Sequence, residues 1–172
     1  MAEIRAALDA GLYYAAVSMT LSVPDICSAL ETNAGHSRFG KIEPRYKAWC
    51  KQYMEPRFGS FDADDCWALR GGVIHNAMLS KHPKNTRGRL LLMPPNDSQN
   101  IVHELVVRNC GDPPESGLQL YIPQFCEMMI EVATEWYEAE ADNPIVQQNL
   151  PDLVRYRPEG MAPYMVGLPV IA

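Results

Sequence analysis

Arg70 and His75 stand five residues apart in the stretch Asp64-Asp-Cys-Trp-Ala-Leu-Arg-Gly-Gly-Val-Ile-His-Asn-Ala77. An arginine grips a phosphate or carboxylate with a fixed fork of donors, and an imidazole exchanges protons near neutral pH. Together they could handle a phosphoryl group by acid–base chemistry without a metal. On a wheel of about 100° per residue, Cys66, Leu69, Val73, Ile74 and Ala77 form one apolar arc, with Arg70 in its middle. His75 falls about 140° away. A guanidinium cannot shed its charge, so in that arc it must meet a carboxylate, a carbonyl cluster or a pocket open to anions. Gly71-Gly72 sharpens the anomaly, since each glycine costs about 1 kcal/mol against alanine inside a helix. Paired glycines point to a bend, which would bring His75 round to the arginine, or to close approach by another backbone or a ligand.

Three roles stay open for these residues. Arg70 and His75 form a catalytic pair, or Arg70 anchors an anionic ligand, or Arg70 is a strut paired with Asp65, Asp64 or an acid on the last long helix. The spacing Arg70-Gly-Gly-Val-Ile-His75 resembles the Arg-x(4–6)-His signature of the HEPN superfamily. That family comprises small helical bundles, many of them metal-independent endoribonucleases of toxin–antitoxin, abortive-infection and CRISPR-associated systems. The resemblance implies His75 as general acid or base, Arg70 as phosphate anchor, Asp65 and Asn76 as supporting residues, RNA as partner and a homodimer with two such pairs in one cleft. It implies no cofactor and no metal. This sequence departs from the pattern at Gly71, where many members carry Asn, Asp or His. The wider phrase Asp65-Cys-Trp-Ala-Leu-Arg70, with Phe125-Cys126 and Trp136, is similar to a group of bacterial proteins over about residues 12–137, and brings no activity with it.

The elements that must position the pair are mostly helical. A first helix is predicted over Glu3–Met19, from Ile4, Leu8, Leu12, Ala15 and Met19 at helical spacing. Ser22-Val-Pro-Asp25 reads as the start of a second, short helix, with a serine cap and an early proline. Asn33–Gly40 reads as a loop, and Pro44 opens a helix burying Tyr46, Trp49, Cys50 and Tyr53. Those aromatics, interleaved with Lys47 and Lys51, could stack bases, but their spacing favours the core. The motif helix should run from Ala63 to Ser80, capped by Asp62 or the acids after it. Two strands follow, Arg89–Met93 and Ile101–Val107, joined by a turn-rich segment, with Leu118–Ile122 as a third. A long helix spans Pro123 to Ala141. The fold expected is mostly α: a HEPN-like bundle over 1–142 with a β-hairpin or three-stranded insertion at about 88–122. Residues 143–172 carry five prolines among apolar residues, and should pack as a tail on the domain or a partner.

Composition bounds the rest. The 172 residues are 47% hydrophobic and 21% charged, enough for one self-sufficient core. No apolar run nears the roughly 18 residues of a membrane helix, and Met-Ala-Glu-Ile-Arg does not open like a signal peptide, so an intracellular, cytoplasmic location is expected. Five cysteines without a Cys-x-x-Cys pair argue for buried thiols rather than disulfides or zinc. Net charge is −6, which disfavours generic nucleic-acid binding. Yet basic residues gather at 36–57 and again at Lys81–Arg89, so Lys81, Lys84, Arg87 and Arg89 could track a phosphate backbone beside His75, or form a solvated loop. Glu127, Glu131, Glu135 and Glu138 make an acidic stripe that reads as a solvated face.

Overall fold

The structure, a computed structural model, describes residues 1–33, 41–76, 79, 89–96, 102–113 and 115–172. It is mostly α. Helices α1 (Ala2–Asp9), α2 (Tyr13–Leu30), α3 (Ile42–Trp49), α4 (Ala63–Arg70), α5 (Ile122–Glu140) and α6 (Pro144–Asn149) surround one apolar core. Helix α2 is the axis of the bundle: α1, α3, α4, α5 and α6 all pack against it. Its sequence explains this, because Ala16, Val17, Leu21, Val23, Cys27 and Leu30 are buried on several sides rather than along one stripe. Among the described residues, no helix is long and apolar enough to cross a membrane.

The N-terminal third differs from the sequence expectation in two places. The single helix over Glu3–Met19 is broken at Gly11, whose φ of +70° suits glycine and ends α1. Conversely, Ser22–Asp25 starts nothing and lies inside α2, with Pro24 in the helix interior. The hydroxyls of Ser18, Thr20 and Ser22 each donate to the carbonyl four residues back, at 2.8, 2.8 and 3.0 Å, rather than capping an end. Near the proline, Leu21 O accepts from the Tyr46 hydroxyl at 3.0 Å. Burial of α2 outweighs the local start signal.

Two helices end in wide π-helical turns, α3 over Cys50–Met54 and α4 over Gly71–Asn76. Helix α4 opens on a reciprocal cap. Asp65 N donates to Asp62 Oδ1 at 2.9 Å, and Asp62 N donates to Asp65 Oδ2 at 3.4 Å. The three strands β1 (Arg89–Met93), β2 (Leu105–Cys110) and β3 (Glu115–Tyr121) form a sheet in the order β1-β3-β2. Strand β3 is therefore central, parallel to β1 and antiparallel to β2, whereas the sequence suggested that the first two strands are neighbours. The reason is burial: Leu118 and Leu120 of β3 are sealed in the core, whereas β1 buries only Leu90 and β2 is largely exposed. The second strand also lies later than expected, starting at Leu105 rather than Ile101, which falls outside the described residues.

The sheet is tied to the α4 entry by Glu104. Its carboxylate accepts from the backbone N–H groups of Gly59, Ser60 and Phe61 at 2.9, 2.8 and 2.8 Å, and its own φ is +57°. Next to it, His103 Nδ1 accepts from Tyr121 N at 3.2 Å, and the ring packs on Phe58. Burial lowers the His103 pKa from its ordinary value, against a smaller opposing influence of Glu104.

After α5, the short α6 uses Asn143 as its N-cap and docks on α2 through buried Val146 and through Asn149, whose amide donates to Leu30 O and Thr32 O. A 3-10 turn, Leu150–Asp152, leads into four two-residue strands: β4 (Tyr156–Arg157), β5 (Gly160–Met161), β6 (Met165–Val166) and β7 (Val170–Ile171). β4 pairs with β7 and β5 with β6, both antiparallel.

Candidate functional site

The site is built from the junction of α4 with its π turn. An α-helix places residues five apart about 140° round from each other, but a turn closed by i→i+5 hydrogen bonds holds more residues and returns the fifth toward the face of the first. Arg70 ends the α-helical part and His75 lies in the wide turn. Their side chains meet, with Arg70 Nη1 3.2 Å from His75 Nε2. A guanidinium only donates, so Nε2 is the acceptor in this contact. An added Cβ at Gly71 would meet open space, so no close backbone approach requires a glycine there.

The charge of Arg70 is met by a carboxylate, though not one of those expected. Its Nε donates at 2.5 Å to Oδ2 of Asp25, in the C-terminal half of α2, with the two side chains 14% and 20% exposed. Asp65 is instead turned into the helix cap, and Asp64 pairs with Lys47 at 2.8 Å. Arg70 also lies over two rings, its Cζ 4.8 Å from the centroid of Trp67 and 5.7 Å from that of Tyr46. Those rings are themselves edge-to-face at 5.2 Å. Beneath them the Tyr46 hydroxyl meets Cys66 Sγ at 3.2 Å, and burial pushes its pKa well up. The neutral phenol can therefore hold this floor in place without adding charge.

Tyr14, exposed on α2, donates its hydroxyl to Val73 O at 2.5 Å. It pins the π turn from outside, in the segment that leads to His75. Asp25 Oδ1 is buried and has no hydrogen-bond partner among the described residues, so Arg70 bonds only one of its two oxygens.

Of the other residues singled out in the sequence, Lys81, Lys84 and Arg87 lie outside the described residues, as do His36 and His82. Arg89 is exposed at the first position of β1. Asn76 closes the π turn. Part of the first basic cluster is neutralised: Lys47 pairs with Glu43 and Asp64, and Arg57 with Glu135. The acidic stripe of α5 is accordingly engaged at two points, since Glu127 also pairs with Arg5 at 2.8 Å. Tyr46 and Trp49 are core residues, and Tyr53 is half-buried beside Trp49. Among the described residues, no group of three or more His, Cys, Asp or Glu side chains could hold a metal ion.

Sequence reasoning missed Asp25, Tyr14 and Trp67. Trp67 was findable, three residues before Arg70 and thus on its face. Asp25 sits in a Ser-Val-Pro-Asp stretch that looks like a helix start, and no local pattern links it to position 70. What the arrangement offers chemically is a fixed guanidinium with unused donor capacity touching an exposed imidazole. No family model, curated protein or solved structure matches the chain.

Proposed function

We propose that this chain is a HEPN-like RNA-binding or RNA-cleaving protein of a defence or toxin system, in which Arg70 anchors a phosphate and His75 moves a proton. The contact between Arg70 Nη1 and His75 Nε2, made across a π turn with the imidazole exposed, carries this reading. An incoming phosphate oxygen replaces Nε2 as acceptor for the guanidinium, which frees the Nε2 lone pair. Nε2 then takes the proton of the 2′-hydroxyl while its oxygen attacks phosphorus. The bond from phosphorus to the 5′ oxygen breaks, and that oxygen takes a proton from water. The products are a 2′,3′-cyclic phosphate and a 5′-hydroxyl. Asp25 positions Arg70 throughout and touches no substrate.

The Asp25–Arg70 pair favours a second reading, a non-catalytic helical interaction module in which Arg70 ties α4 to α2. RNA incubated with the protein in EDTA separates the two. The enzyme reading expects cyclic-phosphate ends that disappear with His75→Ala and with Arg70→Ala, while His75→Ala melts like the parent. Intact RNA at high protein concentration removes the catalytic reading, and undiminished cleavage by His75→Ala removes the assigned roles.

A further inference from the structure

Helices α2 and α5 end beside each other, and each ends on a glutamate: Glu31 caps α2 and Glu140 is the last residue of α5. The carbonyl groups at a helix C-terminus carry partial negative charge, so a carboxylate is unfavourable there and a basic side chain is the usual companion. Neither helix has a basic residue in its last turn. Two helix ends of one sign and two carboxylates therefore converge on one corner of the bundle.

The hydrogen bonds of this corner are unequally shared. Glu140 receives two donors, Asn143 Nδ2 on Oε2 at 2.7 Å and the Tyr53 hydroxyl on Oε1 at 3.4 Å. Glu31 Oε1 receives Trp136 Nε1 at 2.6 Å. The Tyr53 hydroxyl also faces the Glu31 carboxylate, yet a phenol has one proton, and here it is directed at Glu140. A bond between Glu31 and the Tyr53 oxygen then needs a proton from Glu31 itself. The buried ring of Trp49 walls the corner on one side, 5.4 Å from Tyr53 and 6.4 Å from Trp136 between centroids.

The groups that act on Glu31 from the elements packed around it are Trp136 and Glu140 of α5 and Tyr53 of the turn after α3. Its charge is felt in turn by Cys27, one turn back on α2. No cation is among these described groups. Burial is the largest influence and raises the Glu31 pKa; the Trp136 bond works against it, the Glu140 charge with it and the Tyr53 bond against it, leaving the value raised. Burial also raises the Tyr53 pKa, so the phenol keeps its proton.

We propose that this corner is an acid-fastened clasp, in which one proton carried by Glu31 completes the chain Trp136–Glu31–Tyr53–Glu140–Asn143 and ties the end of α2 to the end of α5. In the closed clasp Glu31 donates to the Tyr53 oxygen and the Tyr53 hydroxyl donates to Glu140. When the proton leaves, two negative carboxylates face each other at two negative helix ends, and the corner loosens. Because the folded-state pKa of Glu31 lies above its ordinary value of 4.5, the clasp's contribution to stability is full below that value and is lost as pH rises through the folded one. This proposal does not depend on the RNA reading.

The indole N–H resonance of Trp136 in the isotope-labelled full chain, followed from pH 8 to pH 4, reads the proton. It should move along one titration curve centred above 4.5. It should hold still in Glu31→Gln, whose amide imitates the protonated acid by accepting from Trp136 and donating to Tyr53. Glu31→Gln should also melt about 2–4 °C above the parent at pH 8, and the two should converge near pH 4.5. Glu140→Gln, which removes the facing charge, should bring the Trp136 midpoint down toward 4.5. A parent midpoint at or below 4.5, or a Glu31→Gln that melts below the parent at pH 8, overturns the proposal. An indole shift that persists in Glu31→Gln, or a midpoint unmoved by Glu140→Gln, overturns it equally.

Discussion

If Arg70 is held by Asp25, the two residues should be energetically coupled, and a double-mutant cycle measures that directly. Arg70→Met keeps the stem over Trp67 and Tyr46 but takes the countercharge from Asp25, whose Oδ1 is already buried without a partner among the described residues. Removing one partner of a fully buried pair costs about 3–5 kcal/mol, and the 14% and 20% exposure of these side chains puts the expectation near the lower end, about 3 kcal/mol. Asp25→Leu leaves the guanidinium with His75 and two rings as neighbours, so about 2 kcal/mol is expected. The double variant leaves no charge behind. It should lose about 2 kcal/mol rather than the sum of about 5, a coupling of about 3 kcal/mol. Urea unfolding followed by circular dichroism gives each value, with equal slopes confirming that the unfolded states are comparable. Single effects that add to within about 0.5 kcal/mol would show the two residues to be independent, and the strut argument would fail.

Two further outcomes follow from the seam between sheet and helices. Glu104→Ala removes three charge-assisted hydrogen bonds but keeps a side chain at φ +57°, whereas Glu104→Gly removes the same bonds and relieves the backbone. Alanine should cost about 3 kcal/mol, seen as a drop in Tm of about 6–12 °C, and glycine about 1 kcal/mol less; the reverse order refutes the account. For His103, burial holds the folded-state pKa below the unfolded value near 6.5, so its stabilising contribution is full above that value. It fades as pH falls through the folded pKa, because the unfolded chain binds the proton first and a protonated Nδ1 cannot accept from Tyr121 N. Tm measured from pH 8 down to pH 5 should therefore fall more steeply for the parent than for His103→Phe, and parallel curves would remove His103 as the cause.

The sequence was most legible where burial and periodicity agree. The long helix beginning at Pro123 and the inward Tyr46 and Trp49 came through because their apolar spacing is confirmed by packing on both sides. The anomaly of Arg70 was legible too, since a charge in an apolar arc demands a partner whatever the fold. Its partner was not. Asp25 lies 45 residues away in sequence, and the serine and proline before it imitate a helix start that the burial of α2 overrides. The π turn was also hidden, because wheel arithmetic assumes 3.6 residues per turn and so sets His75 on the wrong side. Gly71-Gly72 was the one mark of it. Strand order escaped for a third reason: the pairing of β3 between β1 and β2 is decided by which strand the helices cover.

The guanidinium of Arg70 is fastened by a carboxylate on one nitrogen, an imidazole on another and two aromatic faces alongside. An arginine on an open surface must give up rotamer freedom when a ligand arrives, at a cost that can reach about 0.5–1.5 kcal/mol for one long side chain. Here that ordering is completed when the chain folds. An anion reaching this corner would meet a cation with its direction already set, so its residence time would report the quality of the contact rather than the cost of assembling it.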